Sequence, residues 1–77
     1  MEKLLPPFKA IFAELDETKF VETLHLGEIP GWDSMNSINL LMELETQLGG
    51  DYGNLQLTGE MSLGELAAAL RSRGAEL

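Results

Sequence analysis

Between a break at Pro30-Gly31 and another at Gly49-Gly50, the stretch Ser34–Leu48 contains neither glycine nor proline. Nothing in it opposes a helix, and Asp33 just ahead is a good N-cap for the unpaired first-turn amides. The stretch is also too apolar for a helix with one dry face. Ile38, Leu41, Met42, Glu45 and Leu48 follow one stripe, and Met35, Leu40 and Leu44 widen the apolar surface well beyond it. A helix apolar on more than one side either lies at the centre of a fold or is covered by a partner.

The rest of the chain must pack around this helix. Phe8, Ile11, Phe12 and Leu15 recur at i, i+3, i+4 and i+7, which predicts a first helix over 7–15 with Pro7 at its first position. Residues 16–32 read as a long loop. Its apolar positions (Phe20, Val21, Leu24, Leu26, Ile29 and Trp32) fit neither the helical nor the strand period, and they pin it onto the helices. Loops of this length in small domains are usually functional. The region 49–61 is rich in glycine, with a short helical turn expected around 54–58 carrying Leu55 and Leu57. The last helix marks its own start. Ser62-Leu63-Gly64-Glu65 is a capping box, with Met61 and Leu66 placed for a hydrophobic staple. Leu63, Leu66, Ala67 and Leu70 form its buried stripe, Arg71 and Arg73 suit its last turn, and Gly74 suits its end. The reading is all-α: three main helices and one minor one in a single domain over 1–77.

Composition narrows the function. Thirteen acidic residues against five basic ones give a formal net charge of −8. Nucleic acid needs clustered Lys and Arg, and anionic lipid needs the same, so neither is the expected partner. Basic protein surfaces are the natural complement. No apolar h-region opens the chain, and no run approaches the roughly 18 residues of a membrane span. A cytoplasmic, monomeric protein is expected. There is no cysteine, so neither a disulfide nor a thiol nucleophile is available.

Catalytic patterns fail in turn. His25 is the only histidine, which leaves no donor set for zinc or another transition metal. A triad of Ser34, His25 and Asp16 can be drawn, but the flanks of Ser34 lack the glycines of a nucleophile elbow. The segment from Asp51 to Glu60 has Gly53 and Leu55 where a calcium loop needs oxygen ligands. What remains is Ser34 itself, directly after the capping Asp33. At the first position of a helix its hydroxyl sits beside unpaired N–H groups and the positive end of the dipole, where an esterified phosphate is favoured. Asp-Ser alone is also ordinary helix-start chemistry.

The surrounding residues give the pair a context. Gly31-Trp32-Asp33-Ser34-Met35, followed by the run ending Met42-Glu43-Leu44-Glu45, resembles the acyl carrier protein family, whose hallmark is Asp-Ser-Leu at the start of the second helix. Leu26 and Ile29 match that family's apolar loop positions, and Ser62-Leu63-Gly64-Glu65-Leu66 resembles its Thr-Val-Gly-Asp-Leu opening of the last helix. Nearly the whole chain is covered.

The resemblance implies a four-helix bundle with a long first loop and a short third helix. It implies a carrier rather than an enzyme, holding acyl groups as thioesters on 4′-phosphopantetheine. Ser34 is then the attachment site, with Asp33 capping the helix and assisting recognition by a phosphopantetheinyl transferase that uses coenzyme A and magnesium. Ser37, one turn into the helix, is not the implied acceptor. Met35, Ile38 and Met42, with Glu45 beside them, occupy the positions that dock acyl-loading and acyl-using enzymes through basic surfaces. The chain departs from carriers of bulk fatty-acid synthesis in several places. Asn36 and Asn39 stand where acids are usual, Met35 replaces Leu, and Trp32 is commoner in polyketide-type members. These departures point to a discrete carrier of a specialised pathway. Two other readings make different predictions: an unmodified acidic helical adaptor for a basic partner, and a small serine hydrolase.

Overall fold

The computed structural model describes residues 2–77. Three α-helices carry it, α1 (Leu5–Ile11), α2 (Ser34–Leu48) and α3 (Leu63–Ser72), and no strand forms among the described residues. α2 has the bounds that its uninterrupted sequence predicts. The Asn36 amide donates to Asp33 Oδ1 at 2.7 Å, and Gly49, at φ +75°, ends the helix.

The core gathers one face of every segment. Leu4, Phe8, Phe12 and Leu15 come from the N-terminal region, Leu40 and Leu44 from α2, and Leu63, Leu66, Ala67 and Leu70 from α3. Each large apolar side chain buried in this way contributes about 1.5–3 kcal/mol relative to exposure. Leu41 and Leu48 are half-buried, so α2 turns only part of its apolar surface inward.

α1 departs from the expected range at both ends. Residues 2–4 already turn, and the Phe8 amide donates to the Leu4 carbonyl at 3.3 Å. Pro6 and Pro7 both fall in the first turn, where a missing N–H removes no helical bond. At the far end Phe12 leaves helical dihedrals, and the Leu15 amide donates to the Phe12 carbonyl in a turn. The apolar stripe therefore reaches the core without one continuous helix. Tertiary contacts hold its aromatic members, with Phe20 edge-on to Phe8 at 5.2 Å and Trp32 stacked on Phe12 at 5.8 Å.

The loop 16–32 contains two short 3₁₀ turns, Glu17–Lys19 and Leu26–Glu28. Leu26 and Ile29 are buried, Phe20, Leu24 and Trp32 are half-buried, and Val21 is exposed. α3 helps to fasten it. The Leu63 and Gly64 amides, unpaired within their own helix, donate to the Leu24 and Glu22 carbonyls at 2.8 and 2.9 Å. The short helix expected over 54–58 is not formed. Only a turn at 53–54 is present, with the Leu55 amide donating to the Tyr52 carbonyl. The far end of this segment is tied instead to the long loop, where the Gly59 and Met61 carbonyls accept from the Gly27 and Leu26 amides.

The capping box of α3 forms as its sequence predicts. The Glu65 amide donates to Ser62 Oγ at 3.1 Å and the Ser62 amide donates to Glu65 Oε1 at 2.9 Å. The backbone bond from Ser62, followed by its side-chain bond, holds the Glu65 carboxyl below the ordinary value of 4.5. A carboxyl lowered on folding stabilises above its unfolded pKa, and that contribution disappears as pH falls through the folded value. Glu65→Ala is thus expected to lower the urea midpoint at about pH 7 and to have a much smaller effect at about pH 3. Equal effects at both pH values would contradict the capping role.

Candidate functional site

The approach to α2 is built from a tight turn. Trp32 N–H donates to the Ile29 carbonyl at 3.1 Å, with Pro30 second in the turn and Gly31 third at φ +91°. This is a type II arrangement, and its positive φ is the reason for glycine at 31. Trp32 stacks on Phe12, and Asp33 follows in extended conformation before the helix begins at Ser34.

Ser34 is exposed, and its hydroxyl has no hydrogen-bond partner among the described residues. Ser37 differs. It is half-buried, and its Oγ donates back to the Ser34 carbonyl at 2.7 Å. The first-turn amides also divide unevenly. Asn36 N–H goes to Asp33 Oδ1 and Ser37 N–H to the Asp33 carbonyl, while those of Ser34 and Met35 find no acceptor among the described residues. At the start of α3, by contrast, Ser62, Leu63, Gly64 and Glu65 all donate within the chain. An unengaged hydroxyl beside two open amides thus occurs at α2 and not at α3.

The outward face of α2 continues from this point. Met35, Ile38 and Met42 are 71%, 62% and 59% exposed, while Leu40 and Leu44 point inward. Asn39 and Thr46 share the exposed side. The helix's two acids are both engaged within the chain. Glu43 Oε1 accepts from the Gln47 side chain at 2.8 Å, and Glu45 Oε2 accepts from the Tyr52 amide at 2.8 Å. Glu45 is half-buried and fastens the segment after α2. The net charge of −8 is therefore carried mainly away from the exposed methionine stripe.

A groove of about 460 Å³ opens next to Ser34. Ser37, Ile38 and Leu41 form one side, and Gly53, Leu55, Gln56, Leu57 and Thr58 the other. No histidine, carboxylate or cation lines it. His25 lies elsewhere: its Nδ1 is 3.6 Å from Glu28 Oε2, and its backbone pairs with Ser62. Asp16 is bonded to Thr18 through both its hydroxyl and its amide, which lowers its pKa. His25 and Asp16 are absent from the walls beside Ser34, so no general base faces that hydroxyl from the groove.

Two contributors escaped the sequence reading. Tyr52 is buried and anchors the segment that forms the far wall, yet a lone tyrosine in a glycine-rich stretch carries no periodic signal. Asn36 registers in the sequence only as a missing acid, whereas its side chain donates to the Gly31 carbonyl at 2.9 Å. No helix of the described residues is long and apolar enough to cross a membrane. Compared with protein-family models, curated proteins and solved structures, the chain matches none.

Proposed function

We propose that the chain is a carrier of the acyl carrier protein type, with Ser34 as its attachment residue. The observation that carries this reading is the free Ser34 hydroxyl at the first position of α2, beside the open amides of Ser34 and Met35. These features fit a phosphodiester. The hydroxyl is accessible for esterification, and the amides and helix dipole favour the negative charge that results. When bound, 4′-phosphopantetheine supplies a terminal thiol for thioester formation, which this cysteine-free chain cannot supply itself.

The other residues take supporting roles. Asp33 caps α2 and presents the serine to a phosphopantetheinyl transferase. Met35, Ile38 and Met42 offer adaptable apolar contacts to successive partner enzymes, since methionine tolerates varied surfaces. Glu45 adds charge at the edge of that face while holding Tyr52. Ile38, Leu41, Leu55 and Leu57 give the groove beside Ser34 apolar walls suited to a carried acyl chain. In this reading the segment 50–61 stands where the family's four-helix bundle has its short third helix. The departures at Asn36 and Asn39 favour a dedicated pathway over bulk fatty-acid synthesis.

The test is incubation with coenzyme A, magnesium and a broad-specificity phosphopantetheinyl transferase, followed by intact-mass measurement and peptide mapping. The expected product gains one phosphopantetheine mass on the peptide containing Ser34. An unmodified chain, or modification at another residue, would falsify the carrier reading. The first outcome would favour the unmodified acidic adaptor.

A further inference from the structure

We infer that Asn36 is a positioning residue for Ser34, acting through the hydrogen bond that its side-chain amide donates to the Gly31 carbonyl. The inference rests on the carrier reading and adds to it a residue which presets the acceptor serine. Asn36 makes two bonds back across the start of α2. Its side-chain Nδ2 donates to the Gly31 carbonyl at 2.9 Å, and its backbone N–H donates to Asp33 Oδ1 at 2.7 Å. Together they close a ring from Gly31 to Asn36 that encloses Trp32, Asp33, Ser34 and Met35. Asn39 supports it from the next turn, its Nδ2 donating to Asn36 Oδ1 at 3.3 Å.

The ring acts on a defined joint. On its upstream side the type II turn leaves the Gly31 carbonyl for an outside donor, and the Trp32 ring is fixed on Phe12. On its downstream side α2 is rigid. The bonds that span the joint therefore hold the first turn of α2 against fraying, and that turn carries Ser34. Ser34 is the only hydroxyl-bearing residue inside the ring, and its hydroxyl bonds nothing that would otherwise orient it.

The chemistry at position 36 is selective. The side chain must donate to a carbonyl and accept from Asn39 at the same time, which a neutral amide does. An ionised carboxylate accepts only. Placed there, it would have no proton to donate to the Gly31 carbonyl. Alanine offers neither function.

Positioning matters because the transfer is a displacement at phosphorus. Ser34 Oγ forms the new P–O bond, its proton leaves to a base on the transferase, and the adenosine bisphosphate half of coenzyme A departs. Small errors in the direction of attack slow such steps strongly.

The experiment compares wild type with Asn36→Ala, Asn36→Asp and Asn36→Gln, using the transferase with coenzyme A. Asn36→Ala is expected to lower kcat for Ser34 loading about 3- to 10-fold, the size that one net hydrogen bond carries, with KM nearly unchanged. Asn36→Asp, which loses the donor to Gly31 but places a charge favoured in the first turn, is expected to lose no more than Asn36→Ala, and Asn36→Gln, which keeps donor and acceptor, to recover part of the rate. Amide NMR of the unloaded proteins supplies an independent readout. In Asn36→Ala the Gly31, Trp32, Ser34 and Met35 resonances should shift or broaden while those of α3 stay in place. If wild type is loaded and Asn36→Ala loads equally fast, the inference falls and the carrier reading stands. If wild type is not loaded at all, the carrier reading falls and takes the inference with it.

Discussion

Ser34→Ala is expected to give a folded protein that takes up no phosphopantetheine, whereas Ser37→Ala takes it up at close to the wild-type rate. The two serines lie one turn apart and differ physically. Ser34 is exposed and its hydroxyl bonds nothing among the described residues, so removing the oxygen breaks no contact. Alanine is also at least as good a helix former as serine, and the stability change should stay within about 0.5 kcal/mol. Complete loss of modification would then reflect lost chemistry rather than lost fold. Ser37 uses its hydroxyl on the Ser34 carbonyl, so its removal frees that carbonyl and leaves the acceptor oxygen intact. Intact mass after incubation with coenzyme A and the transferase reads the modification, and circular dichroism checks the fold. Modification of Ser34→Ala would remove the proposal. The adaptor reading makes the opposite prediction, that Ser34→Ala keeps full activity in the native host.

Tyr52→Ala is expected to be the most damaging single truncation in the chain. The ring is 1% exposed, and the residue's amide is held by Glu45 across the end of α2. Removing a large buried aromatic side chain typically costs about 3–5 kcal/mol, because the cavity does not fully collapse. A native domain has only about 0.05–0.15 kcal/mol of stability per residue, so in a small one the loss takes much of the total. Thermal melts followed by far-ultraviolet circular dichroism should show a transition lowered by tens of degrees or no cooperative transition. Tyr52→Phe, which keeps the ring, should melt close to wild type. Gly50→Ala should destabilise through the same contact, since a Cβ at that position would collide with the Tyr52 ring. A Tyr52→Ala protein that melts with wild type would contradict the buried placement. The wall of the groove beside Ser34 depends on this anchor, so partial unfolding there should also alter loading of Ser34.

α2 and α3 were legible residue by residue. Their caps, their lack of interior proline and their end glycines are local signals, and local backbone chemistry decides where such helices start and stop. α1 was legible as a face but not as a length. Phe12 and Leu15 reach the core after the helix has ended, because aromatic packing and a turn deliver them there. The region 54–58 misled for a related reason. Leu55 and Leu57 suit a helical turn, but the end of the segment is tied to the distant loop, whose Leu26 and Gly27 amides bond the Met61 and Gly59 carbonyls. Propensity cannot foresee a partner that arrives from thirty residues away in the chain. Glu45 is a shorter-range case: its sequence position marks a surface acid, but it accepts from the Tyr52 amide seven residues on.

The sequence by itself determined the all-helical class, the bounds of α2 and α3 and the serine at a helix start. Each depends on contacts between residues a few positions apart, and a linear reading captures those. Tertiary structure decided which side of α2 stays dry and how the loop 16–32 is fastened to α3. Leucine and methionine on one helix look alike in a hydrophobic pattern. Only the packing of α1, α3 and the loop against α2 buries Leu40 and Leu44 while leaving Met35, Ile38 and Met42 in water. Burial is a property of neighbours, and the neighbours are chosen by the fold.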